Sequence, residues 1–419
     1  MMEKARWFTS ALALLALILA VPAAVYGGAP VGSRFLIQNS SGVDEVEAAV
    51  AYNSQAHEYL VVWTAEATGP VKEIWGRRVS SDGTLLGAAF RISPANDGYH
   101  PDVAYNSTTN EYLVVWETGQ SIRGQIVTGT GLLVGSDFTI AAGYVHGSYH
   151  YTEPAVAYGS TSDRYVVAFR YIWDLDGTSQ IQARAYLNNG SPEDNAFEVS
   201  PSSYNSKFPD QPDLAYNRSR NEFLVAWRQE YSSTDHDIYG RRVKLTGGAG
   251  VQGNALLIAT SGDDEGTPTV AAIPTVPDAG QYLVAWESDG DIKARTVAWD
   301  GTLGARRDLA TTSWTEQGPA AAGCESNQQF LVAWVWIPVV TPPAMMQVQA
   351  RTLALDGALL DSTTTVGGGQ VFETAIAAGP TGDFLMAFDD NEVIGVANRG
   401  IYGHFWGNRV YLPLVIRNH

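Results

Sequence analysis

The chain has 419 residues, 45% of them hydrophobic and only 17% charged, with 42 glycines, 20 tyrosines and 12 tryptophans. That is the make-up of many short strands joined by tight turns, and it excludes a disordered chain. A formal charge of −18 excludes the basic face that nucleic acid or an anionic membrane requires, and the single cysteine, Cys324, excludes an intrachain disulfide and a thiolate metal cluster.

At the N-terminus, Lys4 and Arg6 precede an apolar run from Trp7 to Val21, and the small residues Ala23, Ala24, Gly27 and Gly28 follow. This order predicts an export signal peptide over residues 1–27. The alternative is an uncleaved N-terminal membrane anchor, because the run nearly reaches spanning length. No other membrane contact is expected. An exported chain without disulfides must be held by its core alone.

Residues 28–406 repeat one pattern. Seven similar runs, from EYLVVW to DFLMAF, end on Trp63, Trp116, Phe169, Trp227, Trp286, Trp334 and Phe388, spaced 48 to 59 residues apart. A period near 50 indicates a propeller or a solenoid. Before each run lies a short segment such as AVAYN at 49–53 or DVAYN at 102–106 (strand A). The run itself (strand B) is apolar at nearly every position, so both of its faces are buried. Strand C follows, as in IWGRRV at 74–79, with a small third residue (Gly76, Gly124, Ala183, Gly240, Ala294, Ala350, Gly403) that predicts close approach of a neighbour. An Asp-Gly hairpin such as SDGTLLG at 81–87 leads to a short strand D, as in FRIS at 90–93 or FEVS at 197–200.

These strands predict an all-β fold, a seven-bladed β-propeller with four antiparallel strands per blade. The blades fall at about 46–93, 101–140, 154–200, 212–259, 268–310, 319–366 and 374–406. The seventh unit lacks a strand D, and RFLIQNS at 34–40 has the form of one. The last blade is therefore expected to be closed by the N-terminal strand, which removes the edges an open solenoid would leave. The C-terminal tail 407–419, GNRVYLPLVIRNH, is either a docked tail or extra strand, or a sorting segment, which Tyr-Leu-Pro tails of exported bacterial proteins resemble.

Over 34–406 this strand grammar resembles bacterial propeller repeats of the TolB and WD40-like kind. The Trp-Asp pair of true WD40 repeats and the Gly-Gly pairs of kelch repeats are absent. SSDGTLLG is similar to the Asp box of sialidases but lacks its closing aromatic, so no sialidase chemistry is implied. The resemblance implies an exported bacterial seven-bladed propeller.

In such a fold the D–A and B–C connections share one face and the A–B and C–D turns the other. The second set is short and repetitive, and Asn106 and Asn217 of its glycosylation-like sequons read as turn formers. The first set varies, so ligand binding is expected there. Three groups of candidates stand on that face. The residues before each strand A, at the mouth of the central channel, are Glu47, His100, Glu153, Gln211, Thr267, Gly318 and Glu373; they would hold a cation such as Ca²⁺, or only water. The loops of the third blade, 141–153 and 170–180, offer Tyr144, His146, Tyr149, His150, Tyr151, Glu153, Arg170, Trp173, Asp174 and Asp176. Rings for stacking beside charged groups suit a sugar or peptide, and WDLDG is a fragment of an acidic calcium loop; the plainer alternative is a loop packing its own aromatics. The third group, Glu230, Asp235, His236 and Asp237 of the fourth blade, is a metal site or a solvated loop. The stretches 261–267, 287–291 and 388–392 add acid to the same face. The tryptophans that end strand B read as inter-blade core, whereas Trp314 and Trp336 are placed in loops.

Together these features predict a secreted or cell-surface, non-catalytic binding or scaffold module for an extracellular glycan, peptide or protein. No cofactor is expected beyond the Ca²⁺ already named. The alternatives are an extracellular carboxylate-dependent glycoside hydrolase or lyase, for which no carboxylate pair is marked, and a structural envelope protein.

Overall fold

The computed structural model describes residues 27–67, 71–95, 97–143, 149–203, 208–232, 234–245, 248–273, 281–338, 345–391 and 398–407. The expected signal peptide (save Gly27), the tail beyond Gly407, and Tyr144, His146 and Glu392 lie outside them. No helix among the described residues is long and apolar enough to cross a membrane.

The described chain forms seven four-stranded antiparallel sheets. Six are consecutive A-B-C-D meanders. The seventh joins Val371–Ala378, Phe384–Asp390 and Gly400–Gly407 to the N-terminal strand Ala29–Gln38. In that strand Phe35 pairs with Gly403, as Phe90 of blade 1 pairs with Gly76. A Cβ on Gly403 would stand 2.6 Å from the Phe35 ring, and one on Gly76 2.9 Å from Ile92. The small third residue of strand C is thus required by the strand D side chain lying over it.

Strand B explains the stacking. Its side chains alternate between the two neighbouring blades. Tyr59, Val61 and Trp63 meet Ala377, Leu385 and Phe405 of blade 7, while Leu60 and Val62 meet Tyr112, Val114 and Trp116 of blade 2. All seven hallmark aromatics face the preceding blade in this way, and all are at most 1% exposed. Burying such a ring contributes roughly 1.5–3 kcal/mol. The Asn that follows each tyrosine of AYN is buried: Asn106 Oδ1 accepts the N–H groups of Thr108 and Thr109, closing the A–B turn.

Two boundaries differ from the sequence reading. Strand D of blade 3 is only Phe197–Glu198. The A strands begin earlier than expected: Val43, Tyr99, Tyr149, Asp210, Glu265 and Thr315 in the first six blades. Pairing runs through a bulge, with a register shift in each strand A (between Val46 and Ala49 in blade 1, between Thr152 and Ala155 in blade 3). A bulge has no periodicity of its own, so the apolar pattern stops while the ladder continues.

Candidate ligand-binding face

The bulge places the mouth residues. Glu47, His100, Glu153, Gln211, Thr267 and Gly318 all have φ between 45° and 59°. Five of the six are not glycine, although this left-handed conformation disfavours a side chain. In five blades a proline follows (Pro101, Pro154, Pro212, Pro268, Pro319) and donates no ladder bond.

In blades 2 to 6 the left-handed turn aims the backbone N–H of the mouth residue at the preceding blade, and a side chain there receives it. Glu47 accepts from the His100 N–H at 2.8 Å, Glu153 from Gln211 at 2.6 Å, and Gln211 from Thr267 at 2.9 Å. In blades 2 and 5 the mouth residue is His100 or Thr267, and the acceptor is instead the residue after the tryptophan. Glu117 receives the Glu153 N–H at 3.0 Å and Glu287 the Gly318 N–H at 2.5 Å. At the 7–1 seam Asp44 accepts the Arg399 N–H at 2.7 Å, and in blade 7 Asp389 receives the N–H of Glu373 at 2.9 Å. Five consecutive junctions are thus latched at the mouth. The sequence reading missed Glu117 and Glu287. Comparing the residue after each hallmark aromatic with the mouth residue of the same blade would have found them.

The side chains of the ring are engaged by neighbouring protein groups. Glu47 and His100 pair with each other at 3.1 Å, and His100 also meets Glu117 at 3.5 Å. Hydrogen bonds to Glu117 and Glu47 hold His100 up to about 10. Burial works to raise Glu47, but the bonds and charge of His100 outweigh it and bring the carboxyl down to about 2. Glu373 feels both: burial, then the charges of Asp389 and Glu47, push it up to about 7. Glu153 stands apart in a chain of alternating charge, 3.4 Å from Arg170, which lies 4.0 Å from Asp210, which is bidentate to Arg228. Gln211 serves as a latch. Among the described residues no group of three or more His, Cys, Asp or Glu side chains is placed to hold a metal ion.

Deeper in the channel, Asp102 and Asp213 occupy equivalent positions of blades 2 and 4. Each accepts the N–H of its own neighbour, Val103 or Leu214, and one from the next blade, Val156 at 2.7 Å or Val270 at 2.6 Å. They staple inner strands, and burial pushes them up to about 7 and about 6.

Blade 3 is different. Tyr149, His150 and Tyr151, and Arg170 and Trp173, are strand and not loop: strands A (Tyr149–Gly159) and B (Arg164–Trp173) continue beyond the bulge with Tyr149 opposite Trp173 and Tyr151 opposite Tyr171. A period of two then puts Tyr149, Tyr151, Tyr171 and Trp173 on one side, in line with the buried Phe169. Their centroids lie 4.4 to 6.0 Å apart: Tyr151 to Phe169 5.4 Å, Tyr151 to Tyr171 5.1 Å, Tyr149 to Tyr171 5.4 Å, Tyr171 to Trp173 4.4 Å. The ladder starts in the core between blades 2 and 3 and runs out of it, and its last four rings are half-buried. His150 and Asp174 are paired through Nδ1. Asp176 points inward to its own turn, accepting the N–H and hydroxyl of Thr178. At its tip Leu175 is 87% exposed.

In blade 4, Glu230 lies opposite His236 and Gln229 opposite Asp237 on paired strands, and His236 pairs with Asp264 of the next connection. Trp336 lies in strand B of blade 6 and not in a loop; it meets Trp314 edge-on at 6.0 Å.

The fold and the latched mouth define a seven-bladed β-propeller with four antiparallel strands per blade. No family model matches the chain, and no curated protein matches it by sequence. Among solved structures it is similar to a protein of unknown function from Dyadobacter fermentans, at 10% identity and TM-score 0.53 over 91% of this chain and 100% of that one. It is also similar to the alpha-L-arabinanase of Penicillium chrysogenum complexed with arabinobiose, at 10% identity and TM-score 0.51 over 78% of this chain and 100% of that one. At so low an identity the likeness concerns the fold alone.

Proposed function

We propose that this propeller is a non-catalytic binding module, secreted or held at the cell surface, that takes an extracellular glycan, peptide or protein on its D–A/B–C face. The aromatic ladder of blade 3 carries the proposal. Four half-buried rings extend beyond the core they continue. Rings of this kind give large contact area at small entropic cost. Glu117, Glu153 and Glu287 are already used by backbone N–H groups, which favours binding over catalysis at those positions. No metal or cofactor enters the proposal, and the acidic chain suits neither nucleic acid nor an anionic membrane.

The test is a glycan array and a pull-down from the native surface, run with the intact chain and with Trp173→Ala and Tyr149→Ala. A captured ligand whose affinity falls by about tenfold or more in the variants, as central aromatic anchors do, with melting unchanged, supports the module. Blank results in both assays overturn it.

One observation favours a second function, an extracellular glycoside hydrolase. Glu47 and Glu373 are neighbouring carboxylates whose surroundings drive them apart, to about 2 and about 7, as a base and an acid would need. Release of reducing ends from a polysaccharide panel, abolished by Glu373→Gln, would put the hydrolase in place of the binding module.

A further inference from the structure

At the seam where blade 7 closes on blade 1 there is a cavity of about 120 Å³. Its polar and aromatic walls are Gln38 at the end of the N-terminal strand, Ser40 just beyond it, Glu45 from strand A, Trp63 from strand B, and Glu73 and Trp75 from strand C. Trp63 and Trp75 are opposite one another in the ladder, so both indoles stand on the side that faces blade 7. Trp75 gives its N–H to Glu73 at 3.0 Å, and Glu73 is paired with Arg91. Glu45 is different. It is 1% exposed and accepts the Ser40 N–H at 3.2 Å, and among the described residues no Lys, Arg or His forms an ion pair with it. The indole N–H of Trp63, itself 1% exposed, has no partner there either. A buried carboxylate without a counter-charge is costly, and two indoles beside it form the surroundings in which an organic cation is stabilised.

Blade 5 shows what such a position accepts. Glu265 corresponds there to Glu45, Trp286 to Trp63 and Lys293 to Trp75, since Lys293 is the ladder partner of Trp286. The Lys293 ammonium is buried at 7% exposure, donating to Ser288 Oγ at 2.8 Å and reaching Asp263 at 3.3 Å, and its charge also acts on Glu265. The fold thus fills this space with its own ammonium in blade 5. In blade 1 the lysine is replaced by a tryptophan, and the space beside the carboxylate is left open.

We propose that the seam cavity binds a quaternary or methylated ammonium headgroup, with the cation against Trp63 and Trp75 and its charge facing Glu45. The cavity has room for a headgroup of a few heavy atoms and not for a sugar chain. The site shares no residue with the blade 3 ladder, so either assignment can fail without the other.

Titration calorimetry of the full chain tests this with choline as the probe. 3,3-Dimethylbutanol, its neutral isostere, is the control for charge, and a methyl glycoside is the control for sugar stacking. Saturable choline binding is expected, with neither control binding. Glu45→Gln should weaken choline by about tenfold or more, and so should Trp75→Lys, which places in blade 1 the ammonium that blade 5 already carries. Unchanged melting shows that both variants are folded; should either fail to fold, the other and the isostere comparison still decide. No choline binding, equal binding of the neutral isostere, preference for the glycoside, or full affinity in both folded variants would overturn the proposal.

Discussion

Glu117 and Glu287 perform at the channel mouth the task that Glu47, Glu153 and Gln211 perform in other blades: each accepts the N–H of a left-handed residue in the next blade. The acceptor moves between two positions, but the bond is kept, because an N–H turned out of its ladder must find another partner. Replacing Glu117, which is 6% exposed, with Ala removes the acceptor of Glu153 and one partner of His100. We expect a loss of about 1–3 kcal/mol in denaturant unfolding. Glu193→Ala, which breaks a surface pair with Arg164, should cost at most about 1 kcal/mol. Equal losses would show that the latch contributes nothing special. The mouth residues themselves were legible in the sequence from their place before strand A. Their role was not, since it depends on a φ value that no side-chain pattern records.

Among the elements, the N-terminal strand carries the greatest consequence. Ala29–Gln38 covers Gly400–Gly407, seats Phe35 over Gly403 and pairs Arg34 with Asp390. Without it, strand C of blade 7 becomes an open edge of apolar, buried residues. A chain lacking residues 29–38 should melt at a lower temperature and associate through that edge, as size-exclusion chromatography would show. A monomer with unchanged melting would contradict the closure. This element was readable because the seventh unit lacked one strand and the chain began with a spare. The extension of strands A and B in blade 3 was not readable. Its bulge interrupts the alternation, and YHYTE and RYIWD therefore look like loops.

For the whole molecule, the buried acids set the response to pH. Burial first, with neighbouring carboxylates, pushes Asp102, Glu265 and Glu373 up to about 7, and burial pushes Asp213 and Asp389 up to about 6, Asp389 against the opposing charge of Arg399. In the folded chain these groups keep protons that the unfolded chain has released, so stability falls as pH rises from about 4 through 7. His100, held up to about 10 by its carboxylate partners, contributes stability that is lost between about 6.5 and 10. Glu47, held down to about 2, works oppositely, its contribution being lost only as pH falls below about 4.5. The net charge of −18 adds self-repulsion of the same sign as the buried acids. Melting temperature should therefore be highest near pH 4.5 and decline steadily towards pH 10, with Glu373→Gln flattening the part between 4.5 and 7. A maximum at pH 8 would refute this account.

The sequence by itself determined the number of blades, the order of strands, the closure of the last blade and the identity of the core aromatics. Each follows from a local period repeated seven times, and repetition removes the ambiguity of a single short strand. Tertiary structure alone decided which polar groups remain available. The latches join residues more than thirty positions apart in different blades, such as Glu47 with His100 and Glu287 with Gly318. The seam cavity exists because the end of the strand that completes blade 7 lies against Trp63 and Trp75 of blade 1. A carboxylate can be recognised from sequence. Whether it latches the next blade or lines a cavity is settled only when the blades close into a ring.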